Sequence, residues 1–235
     1  MIRDVAIVGY AEIVERRSDR DETELLAEVI GAARAAAGLE RGEIGFTVSG
    51  SSDFVVGRPF SFVTALDAVG AWPPIEESHV EMDGAWALYE AWVRLQARDV
   101  DTALVYAFGR ASLGPVRDLL ALQLDPYLVA PLRPDAIALA ALQARALLDS
   151  GRAGERDFAA VAARARGGDP DALLAEPYLT APLRRHDCPG ICDGAAAAVL
   201  VAGAPAARAR KPAWIRGIDH RIEPQALGSR EVTRP

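Results

Sequence analysis

The sequence predicts an α/β protein built on a mixed, mostly parallel sheet with helices on both faces. Short apolar runs of strand character recur at 5–10, 45–48, 100–108 and 195–202, and helical stretches separate the first of them. Strands that alternate with helices form parallel sheets covered on both faces. A third observation is the stretch 85–97, a helix that is apolar nearly all round. Such a helix is normally buried between layers.

Taken in order, 5–10 is a short buried strand ended by Gly9 and Tyr10. Asp21 followed by Glu24 is a capping box, Leu25, Leu26, Val29, Ile30 and Ala33 follow at helical spacing, and Gly38 is the C-cap. A strand at 45–48 leads into the hydroxyl-rich run Ser49-Gly50-Ser51-Ser52-Asp53, read as a loop. A short helix at 60–69 is stopped by Trp72-Pro73-Pro74. An extended entry at 78–80 then turns through an acidic elbow, Glu81-Met82-Asp83-Gly84, into the apolar helix. Its N-terminus aims backbone N–H groups and a positive dipole end at the elbow. After the strand at 100–108, residues 110–190 carry eight prolines and three helical segments, 116–124, 135–149 and 155–166, with no strand signal. A strand through Ala195–Ala198 and Val199-Leu200-Val201 follows, then a last strand at 213–219 and a polar tail from 223.

The chain has 235 residues and a net charge of −7, with no basic stripe, which argues against nucleic-acid binding. Only Lys211 among the 26 basic residues is lysine, a pattern read first as coding bias. No stretch is long enough to span a bilayer and no secretory leader is evident, so a cytoplasmic location is expected. Cys188 and Cys192 are too few for a disulfide scaffold, and with His186 they make a poor zinc set, so no metal is expected.

Glu81 and Asp83 carry two readings. One makes them general base and orienting group; the other makes them caps that complement the helix dipole, Asp83 being the better cap and Glu81 the better base. His79 shares a strand face with Glu81, so a proton-shuttling pair stands beside the plainer reading of a core histidine. His186 and Cys188 do not form a convincing nucleophile pair. The repeated Pro-Tyr-Leu at Pro126 and Pro177 has no physical account beyond two similar turns.

The order of these pieces resembles the thiolase superfamily, in its lipid-transfer-protein-like branch. The match rests on Asp193-Gly194-Ala195-Ala196-Ala197-Ala198-Val199-Leu200, similar to the family's D-G-A-A-A strand. The Val-Gly-Tyr first strand, the long insert after Phe108 and Leu183-Arg184-Arg185-His186-Asp187-Cys188 support it. Ser49–Asp53 and Ser78–Gly84 are similar to mycobacterial-type members linked to sterol side-chain breakdown. The resemblance implies a thiolase-like core over 1–109, a helical loop domain over 110–190, a closing strand over 191–212 and the start of a C-terminal half over 213–235, most of that half being absent. It also implies that the elbow helix lies at the centre of the fold. Thiolases read C-x-x-G at the elbow; aligning Gly84 with that glycine puts Glu81 where the acyl-accepting Cys stands.

By the same resemblance the chain is expected to act on a coenzyme A thioester, with no covalently bound cofactor. Glu81, His79 and Asp83 are the catalytic candidates, and Ser51, Tyr127, Arg133, Arg184 and His186 the candidates for holding acyl-CoA or steroid-CoA. The arginines have an alternative as solvated surface charge. The activity implied is a retro-aldol C–C lyase in steroid or lipid side-chain degradation, in a homo-oligomer or a heteromer with an OB-fold zinc-ribbon protein. A non-catalytic acyl-CoA-binding or scaffold subunit is the alternative, and a thiolase acyltransferase the third.

Overall fold

A computed structural model describes residues 2–57, 59–70, 76–222, 224 and 226–232. In chain order come β1 (Val5–Glu15), α1 (Glu22–Ala37), β2 (Phe46–Ser51), α2 (Asp53–Val56), α3 (Phe62–Val69), β3 (Glu77–Glu81), α4 (Gly84–Ala97) and β4 (Thr102–Arg110). They are followed by α5 (Val116–Ala121), α6 (Ala136–Asp149), α7 (Glu155–Arg166), α8 (Pro170–Leu174), β5 (Tyr178–Thr180), β6 (Leu183–Arg184), β7 (Asp193–Ala202) and β8 (Ala213–Trp214). The chain forms two compact units, Met1–Gly114 with Ile191–Arg221, and Pro115–Gly190 with Ile222–Pro235.

The first unit is a six-stranded sheet in the order β3-β2-β4-β7-β1-β8. β2 pairs in parallel with both β3 and β4, whereas β7 is antiparallel to β4 and β1, and β8 is antiparallel to β1. β1 to β4 therefore point one way and β7 and β8 the other, a mixed sheet in which one direction predominates. The alanine-rich β7 lies between β1 and β4, and its side chains alternate between faces. Ala195, Ala197, Val199 and Val201 join Leu25, Leu26, Val29 and Ile30 of α1 and Ala65 and Val69 of α3. Ala198, Leu200 and Ala202 join Ala87, Ala91 and Leu95 of α4 on the opposite face. Helices thus cover both faces, as the strand and helix alternation predicts.

Local chemistry sets the ends of α1 as read from the sequence. The Asp21 carboxylate accepts the Glu24 N–H at 2.8 Å, and the Glu24 carboxylate accepts the Asp21 N–H at 2.9 Å. Gly38 closes the helix in the left-handed region.

Five expectations are corrected. β1 does not end at Gly9 but runs on to Glu15, because the backbone beyond Gly9 continues to pair with β7. Ser49, Gly50 and Ser51 belong to β2, because their backbones pair with β3, and Asp53 opens α2 instead of ending a loop. The strand expected at 213–219 is limited to Ala213–Trp214. The insert does contain strand, the β5–β6 hairpin. α4 buries one face only: Ala87, Ala91 and Leu95 are fully buried, while Val93 is 38% exposed and Ala85 is exposed. Its apolar outer face carries Trp86 and Tyr89, both packed on His220. Trp72-Pro73-Pro74 lies outside the described residues, and α3 ends at Gly70 with φ 66°. The second unit has a small core of Ala141, Ala144, Leu183 and Cys188, with Ile137 and Phe158 against it.

The Asp193 carboxylate fastens one end of the sheet. It is fully buried, accepts the Ser18 N–H and the Ser112 N–H at 2.8 Å each, and accepts the Ser112 hydroxyl at 2.7 Å. It thereby joins the segment after β1 to the turn after β4. Burial alone raises its pKa, but the bonds from Ser18 and Ser112 and the nearby Arg110 charge outweigh burial and leave it below the ordinary value. A depressed carboxylate stabilises the fold above its unfolded pKa of about 3.9, and that contribution is lost as pH falls through the folded value. Asp193→Ala leaves two amides unpaired and is expected to destabilise by roughly 2–4 kcal/mol in urea unfolding. Asp193→Asn is expected to flatten the loss of stability below about pH 4, because the titrating group is gone. An acid-unfolding profile that overlays wild type would contradict this assignment.

Candidate active site

The candidate site forms where β2 and β3 end, the carboxyl edge at which open α/β sheets place their ligands. Parallel pairing sets Ser49 opposite His79 and Ser51 opposite Glu81. Ser49 is fully buried, and its hydroxyl meets His79 Nδ1 at 2.9 Å. The other ring nitrogen, Nε2, meets Glu81 Oε2 at 3.3 Å. The face shared by residues 79 and 81 thus becomes a side-chain pair, as period two requires. Glu81 also accepts from the Ser52 hydroxyl at 3.2 Å, and its side chain remains 50% exposed. His79 is 14% exposed and stacks on Phe62 with centroids 4.7 Å apart.

Ser49 connects this pair to the interior. It lies opposite Tyr106 of β4 in the parallel register, and burial pushes the Tyr106 hydroxyl pKa up to about 12, with Ser49 opposing the rise. A polar line therefore runs from buried Ser49 through His79 to the exposed Glu81 carboxylate. Asp53 borders it. Its carboxylate accepts the Phe60 N–H at 2.5 Å and the Ser61 N–H at 2.8 Å. Bonds from the Ser61 hydroxyl, then from the Ser61 and Phe60 amides, hold its pKa below the ordinary value. The sequence reading passed over Asp53. Its one available signal was its position just after a strand, immediately beyond two serines.

Asp83 takes the capping role. One carboxylate oxygen accepts the Ala85 N–H at 2.9 Å and the Trp86 N–H at 3.2 Å. Two glycines seat the elbow. A Cβ on Gly50 would lie 2.2 Å from the Asp83 carbonyl oxygen, and one on Gly84 would lie 2.9 Å from the Ala107 Cβ. Ser51 is buried at 2% exposure and its hydroxyl meets that of Ser61 at 3.0 Å.

The other sequence candidates belong to the second unit. Arg184 is buried, pairs with Glu155 at 2.6 Å, donates to the Glu176 carbonyl and lies over the Tyr178 ring. His186 is buried, with Nδ1 at 3.3 Å from Glu176 and Nε2 at 3.4 Å from Asp187. It lines a cavity of about 630 Å³ with Leu147, Phe158, Val161 and Arg166. Tyr127 is 86% exposed, and Arg133 adopts a left-handed backbone, φ 51°. Cys188 is buried, and burial raises its thiol pKa, which opposes thiolate chemistry.

The chain superposes on a chain of the Ltp2-ChsH2(DUF35) aldolase with a TM-score of 0.72. The two share a fold. Identity is 20%, and the match covers 91% of this chain and 60% of that one, so this chain spans under two thirds of the aldolase chain's length. No protein-family model and no curated protein matches the sequence. Among the described residues no helix is long and apolar enough to cross a membrane.

The cap assignment separates Asp83 from the chemistry. Asp83→Ala is expected to destabilise the chain by about 1 kcal/mol, and Asp83→Asn by much less, because asparagine caps nearly as well. Chemical denaturation of the two variants checks this; equal losses would remove the capping role.

Proposed function

We propose that the chain is an aldolase-type subunit that breaks a carbon–carbon bond in a β-hydroxyacyl-CoA, with Glu81 as the general base. The observation that carries this reading is the line Ser49–His79–Glu81, which ends in an exposed carboxylate at the elbow before α4. In the reaction Glu81 takes the proton of the β-hydroxyl. The Cβ–O bond becomes a carbonyl, the Cα–Cβ bond breaks, and its electron pair passes into the thioester enolate, which is reprotonated at Cα. No covalent nucleophile is required, in keeping with Glu81 at the elbow position that a cysteine occupies in thiolases. His79 holds Glu81 in place and accepts or returns its proton.

The fold shared with the Ltp2-ChsH2(DUF35) aldolase supports an aldolase role and a heteromeric assembly. Within this reading the substrate is a steroid or lipid side-chain CoA thioester, the partner an OB-fold zinc-ribbon protein and the setting the cytoplasm. Arg133 and Tyr127 are candidate CoA-binding residues of the second unit. A scaffold subunit without catalysis is the second reading. Acyl transfer is disfavoured by Glu81 at the elbow and by the buried, unactivated Cys188.

The test uses the chain assembled with the protein that co-purifies with it and a steroid-type β-hydroxyacyl-CoA. Glu81→Gln is expected to lower turnover by roughly 10²–10⁴-fold, the usual contribution of a general base. Near wild-type turnover in that variant would sink the base assignment, and a wild-type complex without cleavage would favour the scaffold.

A further inference from the structure

The donor atoms of Asp53, His79 and Glu81 all lie within 4.8 Å of one another. They come from α2 and β3 of the same unit. One imidazole and two carboxylates form a donor set that suits borderline divalent ions. The 3.3 Å between His79 Nε2 and Glu81 Oε2 exceeds the ~2.7–2.9 Å of a charge-assisted hydrogen bond. It is close to the roughly 3.4 Å that separates two ligands on one tetrahedral ion with bonds near 2.1 Å.

The hydrogen bonds behind these donors point the same way. The Ser49 hydroxyl holds Nδ1 so that Nε2 faces the Glu81 carboxylate, and in the tautomer with Nδ1–H donated to Ser49 that nitrogen offers its lone pair to an ion. Phe62 stacks on the imidazole and fixes the ring plane. Ser52 steadies Glu81, and the Phe60 and Ser61 amides steady Asp53. Supports of this kind orient the ligands of metal sites. A carboxylate offers about four acceptor positions, so Asp53 and Glu81 keep lone pairs for an ion.

We propose that Asp53, His79 and Glu81 bind a divalent transition-metal ion of the zinc or manganese type. Three protein donors leave a position open to water or a substrate oxygen. The site rests on its donor set and not on the carbon–carbon lyase reading; with an ion bound, Glu81 and His79 Nε2 are ligands, so the ion and the base role of Glu81 are alternative states of the same residues.

Co²⁺ is the probe, titrated into the metal-free full chain and read by its visible d–d absorption. One Co²⁺ per chain, displaced by Zn²⁺, is the expected result. His79→Ala and Asp53→Asn are each expected to weaken binding at least ~10-fold, and Ser49→Ala by about 10–100-fold through loss of ligand orientation. Circular dichroism reports the folding of each variant, and Ser49→Ala, which removes one hydroxyl, keeps the test open if a ligand variant unfolds. Binding is expected to persist in a His186→Ala/Cys188→Ser/Cys192→Ser variant. Absence of saturable uptake by wild type, unchanged affinity in the ligand variants, or uptake lost only in the cysteine variant would overturn the site. None of these readouts involves turnover, so failure here leaves the base assignment of Glu81 standing and separately testable.

Discussion

The candidate site depends on the parallel register between β2 and β3. With Ser49 opposite His79 and Ser51 opposite Glu81, one strand carries hydroxyls and the other carries the imidazole and the carboxylate. A slip of one residue would turn every side chain to the other face, parting His79 from Ser49 and Glu81 from the edge where Ser52 and Asp53 arrive. The register is secured from the other side as well, because β2 also pairs with β4, and β4 with the alanine-rich β7. Packing at the sheet centre therefore fixes the position of polar groups at its edge.

Much of the architecture was legible in the sequence, because local chemistry determines it. The capping box at Asp21 and Glu24, the left-handed Gly38 and the alternation along β7 each follow from a few neighbouring residues. The His79–Glu81 pair was legible for the same reason, since period two is a local rule. Asp53 was not. It reaches the site through a parallel crossover, and nothing in its own neighbourhood announces that Phe60 and Ser61 will turn back to bind it. The β5–β6 hairpin was missed because proline-rich segments of two and three residues carry too little periodicity to read. α4 was misjudged in degree: apolarity on all sides reports what a helix is suited to contact, whereas burial is set by what surrounds it.

The carboxylates of the first unit are of two kinds. Asp53, Asp83 and Asp193 each accept backbone N–H groups and hold turns in place. Glu81 has only side-chain partners and half its surface in solvent. The first kind is fixed by the fold and gives it shape. The second is the one whose proton can move without loosening a turn, and it stands where the chemistry has been placed. His186 and Arg184 illustrate the opposite outcome: reactive residue types whose hydrogen bonds and ion pairs are taken up within the second unit.

The elbow between β3 and α4 is held by close backbone packing and by the Asp83 cap. Gly50 admits the Asp83 carbonyl from one side and Gly84 meets Ala107 from the other, while the side chain at position 81 takes no part in that fit. The turn would keep its path whether a thiol, a carboxylate or an amide stood at position 81. A scaffold of this kind lets evolution exchange the reactive group in one step, without first having to rebuild the backbone that presents it.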